Sequence, residues 1–329
     1  MSLSIVRFRY NQSVQWGAYK QNAVYPLDIP CSTTAALVSL GYPTVANAVA
    51  SAFASAFASA NIAIAADEVT LLSPITQDAK VLCQGANYRQ HMIDSGMNPD
   101  EKSFNMFFTK SSASITDPQG NIIRPKHVEL LDYEIEMTLV MAKQTDNSVT
   151  VTNGNLHEYV AGVCIANDIS ARDVQIPQMQ FHKGKSYRTF CPLGPVLCLL
   201  NKDEMHYLNN LQLTLSVNGE VRQTDNTSNM VYKPAETISE YSQIVDFNPG
   251  DVILTGTPVN CALAIPSPLF VRIASLLPEK KKWALFLKSQ KKRAQYLNDG
   301  DIVESIIRSP DGVIDLGRQH HKIVAESRS

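Results

Sequence analysis

None of the six cysteines forms a Cys-x-x-Cys pair, and the 329 residues contain no Gly-x-Gly-x-x-Gly run and no P-loop. The first absence argues against a zinc site built on thiolates, the others against a nucleotide enzyme. Charge is scarce, at 18% of residues, and nearly balanced at a formal −2, so nothing marks a nucleic-acid surface. The opening residues, MSLSIVRFRYNQ, carry charge too early for the apolar core of a signal peptide. One long stretch without charge runs from Ala46 to Ala66. It is mostly alanine, interrupted by Asn47, Ser51, Ser55, Ser59 and Asn61. Alanine is too weakly apolar for a membrane span. Val49, Phe53 and Phe57 recur at helical spacing, so a short amphipathic helix docked on the core is expected.

What is present is a 44% hydrophobic share, enough for a substantial core. Cys83, Cys164 and Cys198 lie in apolar runs and read as buried thiols of a reduced, cytoplasmic protein. Residues 1–75 read as a small N-terminal domain and 76–329 as the main one. In the latter, short β-like runs near 134–142, 159–167, 195–200, 211–217, 251–255 and 301–307 alternate with turns such as Asn248-Pro249-Gly250 and Asn298-Asp299-Gly300. The pattern predicts an α+β, mainly β fold and no regular βαβ repeat. Residues 263–296 stand apart as a helical insertion. Trp283, Phe286 and Leu287 share one helix face, and seven Lys and Arg residues crowd the rest. A surface helix with a solvated basic side is expected there, remote from any chemistry.

The segment LDYEIEMTLVMA alternates strictly. In a strand, residues two apart share a face, roughly 6.6–7 Å from each other. Asp132, Glu134 and Glu136 are therefore expected on one face. Taken alone, such a run reads first as a half-exposed strand with an acidic outer side. A second acidic position follows the apolar strand YVAGVCIA. Asp168 sits at its end, where it could cap the next helix or join Glu134 and Glu136 around a hard cation. Three carboxylates suit Mg²⁺ or Mn²⁺, with Ca²⁺ compatible, far better than Zn²⁺.

Several motifs occur in order: GANYRQHMID, Glu134-Ile135-Glu136, NDISARDVQ from Asn167 to Gln175, GKSYRTFCPLGP, LTGTP and NDGDIVE. Together they resemble the fumarylacetoacetate hydrolase family over about residues 78–326. The resemblance implies a β-roll catalytic domain, a homodimer and a small-molecule substrate, while the charge balance already argues for no nucleic-acid partner. It also implies metal ligation by Glu134, Glu136 and Asp168. Lys185 matches a lysine that assists metal and substrate. Arg172, Gln175 and Thr257 match substrate-facing groups. His91 matches a lid histidine paired with an acid three residues on, here Asp94, where Glu is common. The implied activity is hydrolytic cleavage of a C–C bond in a dicarbonyl or 2-oxo acid through a metal-stabilised enolate, with His91 activating water. Decarboxylation, isomerisation or hydration at the same centre is the alternative. The sequence departs from the family after Gly-Thr-Pro, where it reads TPVNCALA, and in the length of 263–296.

Overall fold

The computed structural model describes residues 2–58, 63–264 and 277–327. The alternating runs become strands: Ile135–Met141, Val160–Asn167, Val196–Leu199, Gln212–Val217, Val252–Leu254 and Ile302–Arg308. Among the described residues they fall in two large sheets, of eleven and five strands. Ile135–Met141 lies in the middle of the larger sheet, antiparallel to Val160–Asn167 on one side and Val252–Leu254 on the other. All seven of its residues are buried, because both faces are covered. Ile135, Met137, Leu139 and Met141 face a core shared with Leu213, Leu215, Val303 and Ile307 of the smaller sheet. Val140 faces the other core, with Cys83, Cys164 and Leu254. Glu136, two and four residues from Thr138 and Val140, belongs to that second face by the strand period. The result is a mixed, mainly β fold of the expected class.

The N-terminal residues do not stand apart. Leu3–Tyr10 pairs antiparallel with Val196–Leu199, so the large sheet runs unbroken across the expected boundary at 75/76. Ile5, Trp16 and Leu37 pack in one core with Cys83, Val140 and Leu254. The alanine-rich helix spans Tyr42–Ala58 and buries Val45, Val49 and Ala52. Phe53 meets Tyr25 edge-on, with ring centroids 4.8 Å apart. Phe57 is 97% exposed, so the docked stripe ends one turn earlier than the spacing predicts. Residues 59–62 of that uncharged stretch lie outside the described residues. No described helix is long and apolar enough to cross a membrane.

Part of the 263–296 segment, residues 265–276, also lies outside the described residues. The helix itself is Glu279–Gln290, with Phe286 buried and Lys280, Lys281 and Lys288 exposed, as expected. Its end is not remote from the rest of the fold. Buried Gln290 donates from Nε2 to Ala264 O at 2.9 Å, and its Oε1 accepts from Tyr296 Oη at 2.9 Å. Arg293 Nε donates to Ala262 O at 2.8 Å. The helix therefore grips the chain that leaves the Gly-Thr-Pro turn.

Candidate active site

The register of the central ladder brings the acids together. Ile135 pairs with Asn167 and Glu136 with Ala166, so Glu134 and Asp168 emerge side by side where the pair ends. Asp168 N donates to Glu134 O at 2.8 Å, fixing that end. Glu134, Glu136 and Asp168 each offer an oxygen, all within 4.8 Å of one another. The expected convergence of these three residues is thus what the fold produces. The acidic outer face is not: Glu134 and Glu136 are only 6% and 2% exposed. Nor does Asp132 join them. The strand breaks at Tyr133–Glu134, and Leu131–Asp132 pairs separately with Ser170–Ala171. Asp132 instead accepts from Arg172 Nε at 2.8 Å and from Ala262 N at 2.7 Å.

Three buried cations frame the acids. Lys185, at the end of Phe181–Lys185, places Nζ 2.5 Å from both Glu134 and Asp168. Gly184 lets this short helix close on its neighbour, because a Cβ there would lie 2.9 Å from Gln175 Cα. Arg172 ties Asp132, Glu134 and Gln175 together, its Nη1 donating to Gln175 Oε1 at 2.7 Å. Lys110, at the end of Met106–Lys110, places Nζ 2.5 Å from Asp168 and 2.8 Å from Phe190 O. The sequence reading missed Lys110, since a lone lysine closing the run MFFTK carries no periodic signal.

The charges do not balance. Four buried carboxylates, Asp132, Glu134, Glu136 and Asp168, face three buried cations, Lys110, Arg172 and Lys185. Burial pushes the Glu134 carboxyl up, but Arg172 and Lys185 together hold it well below the usual carboxylate range. Burial also opposes charge on Lys185, yet Asp168 and Glu134 raise its pKa. The deficit falls on Glu136, whose carboxyl is driven well above the usual range by burial and then by Asp168 and Glu134. Among the described residues Glu136 accepts one hydrogen bond, from Gly256 N at 2.7 Å. Two carboxylates whose oxygens lie within 4.8 Å of each other repel by roughly 3 kcal/mol or more at an effective dielectric of about 20. An all-oxygen cluster short of one positive charge fits a hard divalent cation such as Mg²⁺ or Mn²⁺.

The Gly-Thr-Pro turn closes one wall. Gly256 has φ +88°, and a Cβ would meet Asn87 Cβ at 2.9 Å, so only glycine fits. Thr257 Oγ1 donates to Ile135 O at 3.0 Å and accepts from Gln223 Nε2 at 3.0 Å. Gln223 reaches in from the smaller sheet and also accepts from Ile135 N at 3.0 Å. It too escaped the sequence reading, because only the packing of the two sheets brings it here.

A cavity of about 290 Å³ opens on the acids, and His91, Gln175, Lys185 and Thr257 line it. His91 lies on the helix Arg89–Asp94. Burial lowers its pKa, outweighing the pull of Glu134, so the ring is neutral near pH 7. The expected His91–Asp94 dyad is not assembled. Asp94 is exposed and its Oδ1 accepts from Gln90 Nε2 at 2.8 Å, one turn back, while no hydrogen bond among the described residues joins it to His91. Arg172 lines the cavity as well, but its nitrogens are committed to the protein.

The fold thus carries a buried, all-oxygen acidic cluster whose donor set suits a hard cation. The family profile described as fumarylacetoacetate (FAA) hydrolase C-terminal matches residues 80–324, and the chain belongs to the fumarylacetoacetate hydrolase family. One relative is the mitochondrial oxaloacetate tautomerase Fahd2a of Rattus norvegicus. It is 37% identical over 210 residues, which cover 64% of this chain and 65% of the relative. Another is the oxaloacetate tautomerase YisK of Bacillus subtilis, 37% identical over 209 residues, covering 62% and 67%. The solved fumarylacetoacetate hydrolase of Exiguobacterium antarcticum has a TM-score of 0.73 at 25% identity, covering 98% of this chain and 100% of that one.

Proposed function

We propose that this chain interconverts the keto and enol forms of an enolisable 2-oxo acid, with oxaloacetate the first candidate, at the Glu134–Glu136–Asp168 centre. The carrying observation is the unbalanced negative charge of the buried cluster, facing a cavity that also holds a neutral imidazole. The names of the two curated relatives support the substrate. Glu134, Glu136 and Asp168 would hold Mg²⁺ or Mn²⁺. Such a cation, when bound, supplies a chelation point for the adjacent carboxylate and keto oxygens and draws electron density from the neighbouring C–H bond. Lys185 Nζ offsets the carboxylates and offers a donor beside the keto oxygen. His91 takes the proton from C3. The C–H electrons become the C2–C3 double bond, the C2–O π pair moves onto the keto oxygen, and that oxygen takes a proton from solvent as His91 returns its own. Nothing is added or lost, so no water is consumed.

This differs from the hydrolysis that the family resemblance first implies. Hydrolysis needs a water activated by His91, with the ring oriented by Asp94, and Asp94 is turned to Gln90 instead. Hydrolytic C–C cleavage remains the second reading on one observation: neutral His91 in the same cavity can equally take a proton from water.

The test is product analysis with Mg²⁺ or Mn²⁺. Loss of C3 protons to D₂O from oxaloacetate is followed by NMR, alongside cleavage of an acylpyruvate. The expected result is metal-dependent exchange with an intact carbon skeleton. In His91→Ala exchange slows by about 10²- to 10⁴-fold with metal affinity retained. Rapid cleavage of the acylpyruvate without accelerated exchange would reverse the order of the two readings.

A further inference from the structure

A second space of about 420 Å³ adjoins the cavity over the acids and is lined also by Asp94, Asn260, Ala264 and Arg293. The two spaces share His91, Glu134, Arg172 and Leu263, so a molecule with one end at the acidic centre can extend into the second one. Two guanidinium groups line this second space. Arg172 is committed to Asp132, Glu134 and Gln175. Arg293 is half-buried and held by a single bond, Nε to Ala262 O at 2.8 Å. Neither of its Nη atoms has a hydrogen-bond or ion-pair partner among the described residues. The anchor at Nε and the grip of Gln290 on Ala264 fix where this charge sits. Two acids line the same space: Glu134, held by Arg172 and Lys185, and Asp94, which accepts from Gln90 and makes no ion pair with Arg293.

We infer that Arg293 binds the distal carboxylate of a 2-oxo dicarboxylic acid whose oxo-acid end lies at Glu134, Glu136 and Asp168, and so selects dicarboxylates over monocarboxylates. The inference rests on the proposed oxo-acid chemistry of that centre. Physically, a guanidinium with two free Nη groups matches a carboxylate edge to edge, and in a partly desolvated space such a pair is strong. Arg293 lies in the 263–296 segment, which the sequence sets apart from the family motifs on either side of it.

Arg293→Gln and Arg293→Lys are compared with the wild type, metal-loaded, on oxaloacetate and on 2-oxobutanoate, which enolises at the same carbon but lacks the second carboxylate. C3-proton exchange gives kcat/KM for each, and calorimetry gives each Kd independently of turnover. The ratio of oxaloacetate to 2-oxobutanoate, in kcat/KM and in affinity, is expected to fall roughly 10- to 100-fold in Arg293→Gln. Arg293→Lys should recover part of it. Equal losses on both compounds would overturn the inference, because a loop anchor at Ala262 or a latch to Asp94 acts on both alike. An unchanged ratio would overturn it too. If the wild type exchanges neither compound while the Kd ratio still falls in Arg293→Gln, the tautomerase reading fails and the carboxylate site stands.

Discussion

Glu136 faces two other buried carboxylates with one backbone N–H as its described partner, whereas each of those two touches a buried cation. The cost of that arrangement is met either by a proton on Glu136 or by a cation beside it. Burial and its neighbours hold the Glu136 carboxyl well above the usual range, so at pH below that raised value an incoming divalent ion displaces a proton. Lys110 has a different task. It pairs with Oδ1 of Asp168, the oxygen that Lys185 does not hold. Lys110→Met keeps the length of the side chain and leaves that carboxylate oxygen buried without its cation. Removing one partner of a buried pair costs about 3–5 kcal/mol, to be read from urea unfolding of the metal-free protein. A loss under about 1 kcal/mol would show that Lys185 alone suffices. Glu134, Glu136 and Asp168 were candidates in the sequence because spacing of two on a strand shares a face and an Asp after a buried strand marks its end, but the same spacing offered Asp132 and an acidic outer side, and only the ordered family motifs set these three apart. Lys110 and Gln223 were not, because each acts across the sheet or between sheets, and no local pattern encodes that contact.

At the scale of elements, the strand break at Tyr133–Glu134 and the helix Glu279–Gln290 do most to shape the site. The break sends Asp132 to Arg172 and to the backbone of Ala262, so one acid of an apparently regular row becomes a brace for the chain after the Gly-Thr-Pro turn. Strict alternation in LDYEIEMTLVMA hides it, since the side-chain pattern survives while the partner strand changes. The helix completes the same brace from outside. Its existence and exposed lysines could be read from the sequence, but its grip could not, because Gln290 is one more polar residue among many in that segment. Gln290→Ala would remove its hydrogen bonds to Ala264 and Tyr296. About 1–3 kcal/mol of stability should be lost, measured by thermal or urea unfolding, and the oxo-acid KM should rise as the 260–264 wall loosens. Trp283→Ala, on the half-exposed side, serves as the comparison. Equal, small effects from both would mean that the helix is only packed against the site.

Across the molecule, the fold class followed from the alternating runs, whereas the expected N-terminal domain did not appear as a separate body. The reason is edge pairing: Leu3–Tyr10 satisfies its backbone against Val196–Leu199, a contact that joins residues nearly two hundred positions apart. The same long-range assembly lets strand ends, two short helices and a turn converge on one acidic point at the end of the central ladder. That this point holds a divalent ion is the central claim, and titration calorimetry of Mg²⁺ and Mn²⁺ into metal-stripped protein tests it most directly. The account predicts one ion per chain, affinity that rises with pH as Glu136 gives up its proton, and binding weakened by about 100-fold or more in Glu136→Gln but retained in His91→Ala. No ion bound by the wild type, or equal binding by Glu136→Gln, would contradict it.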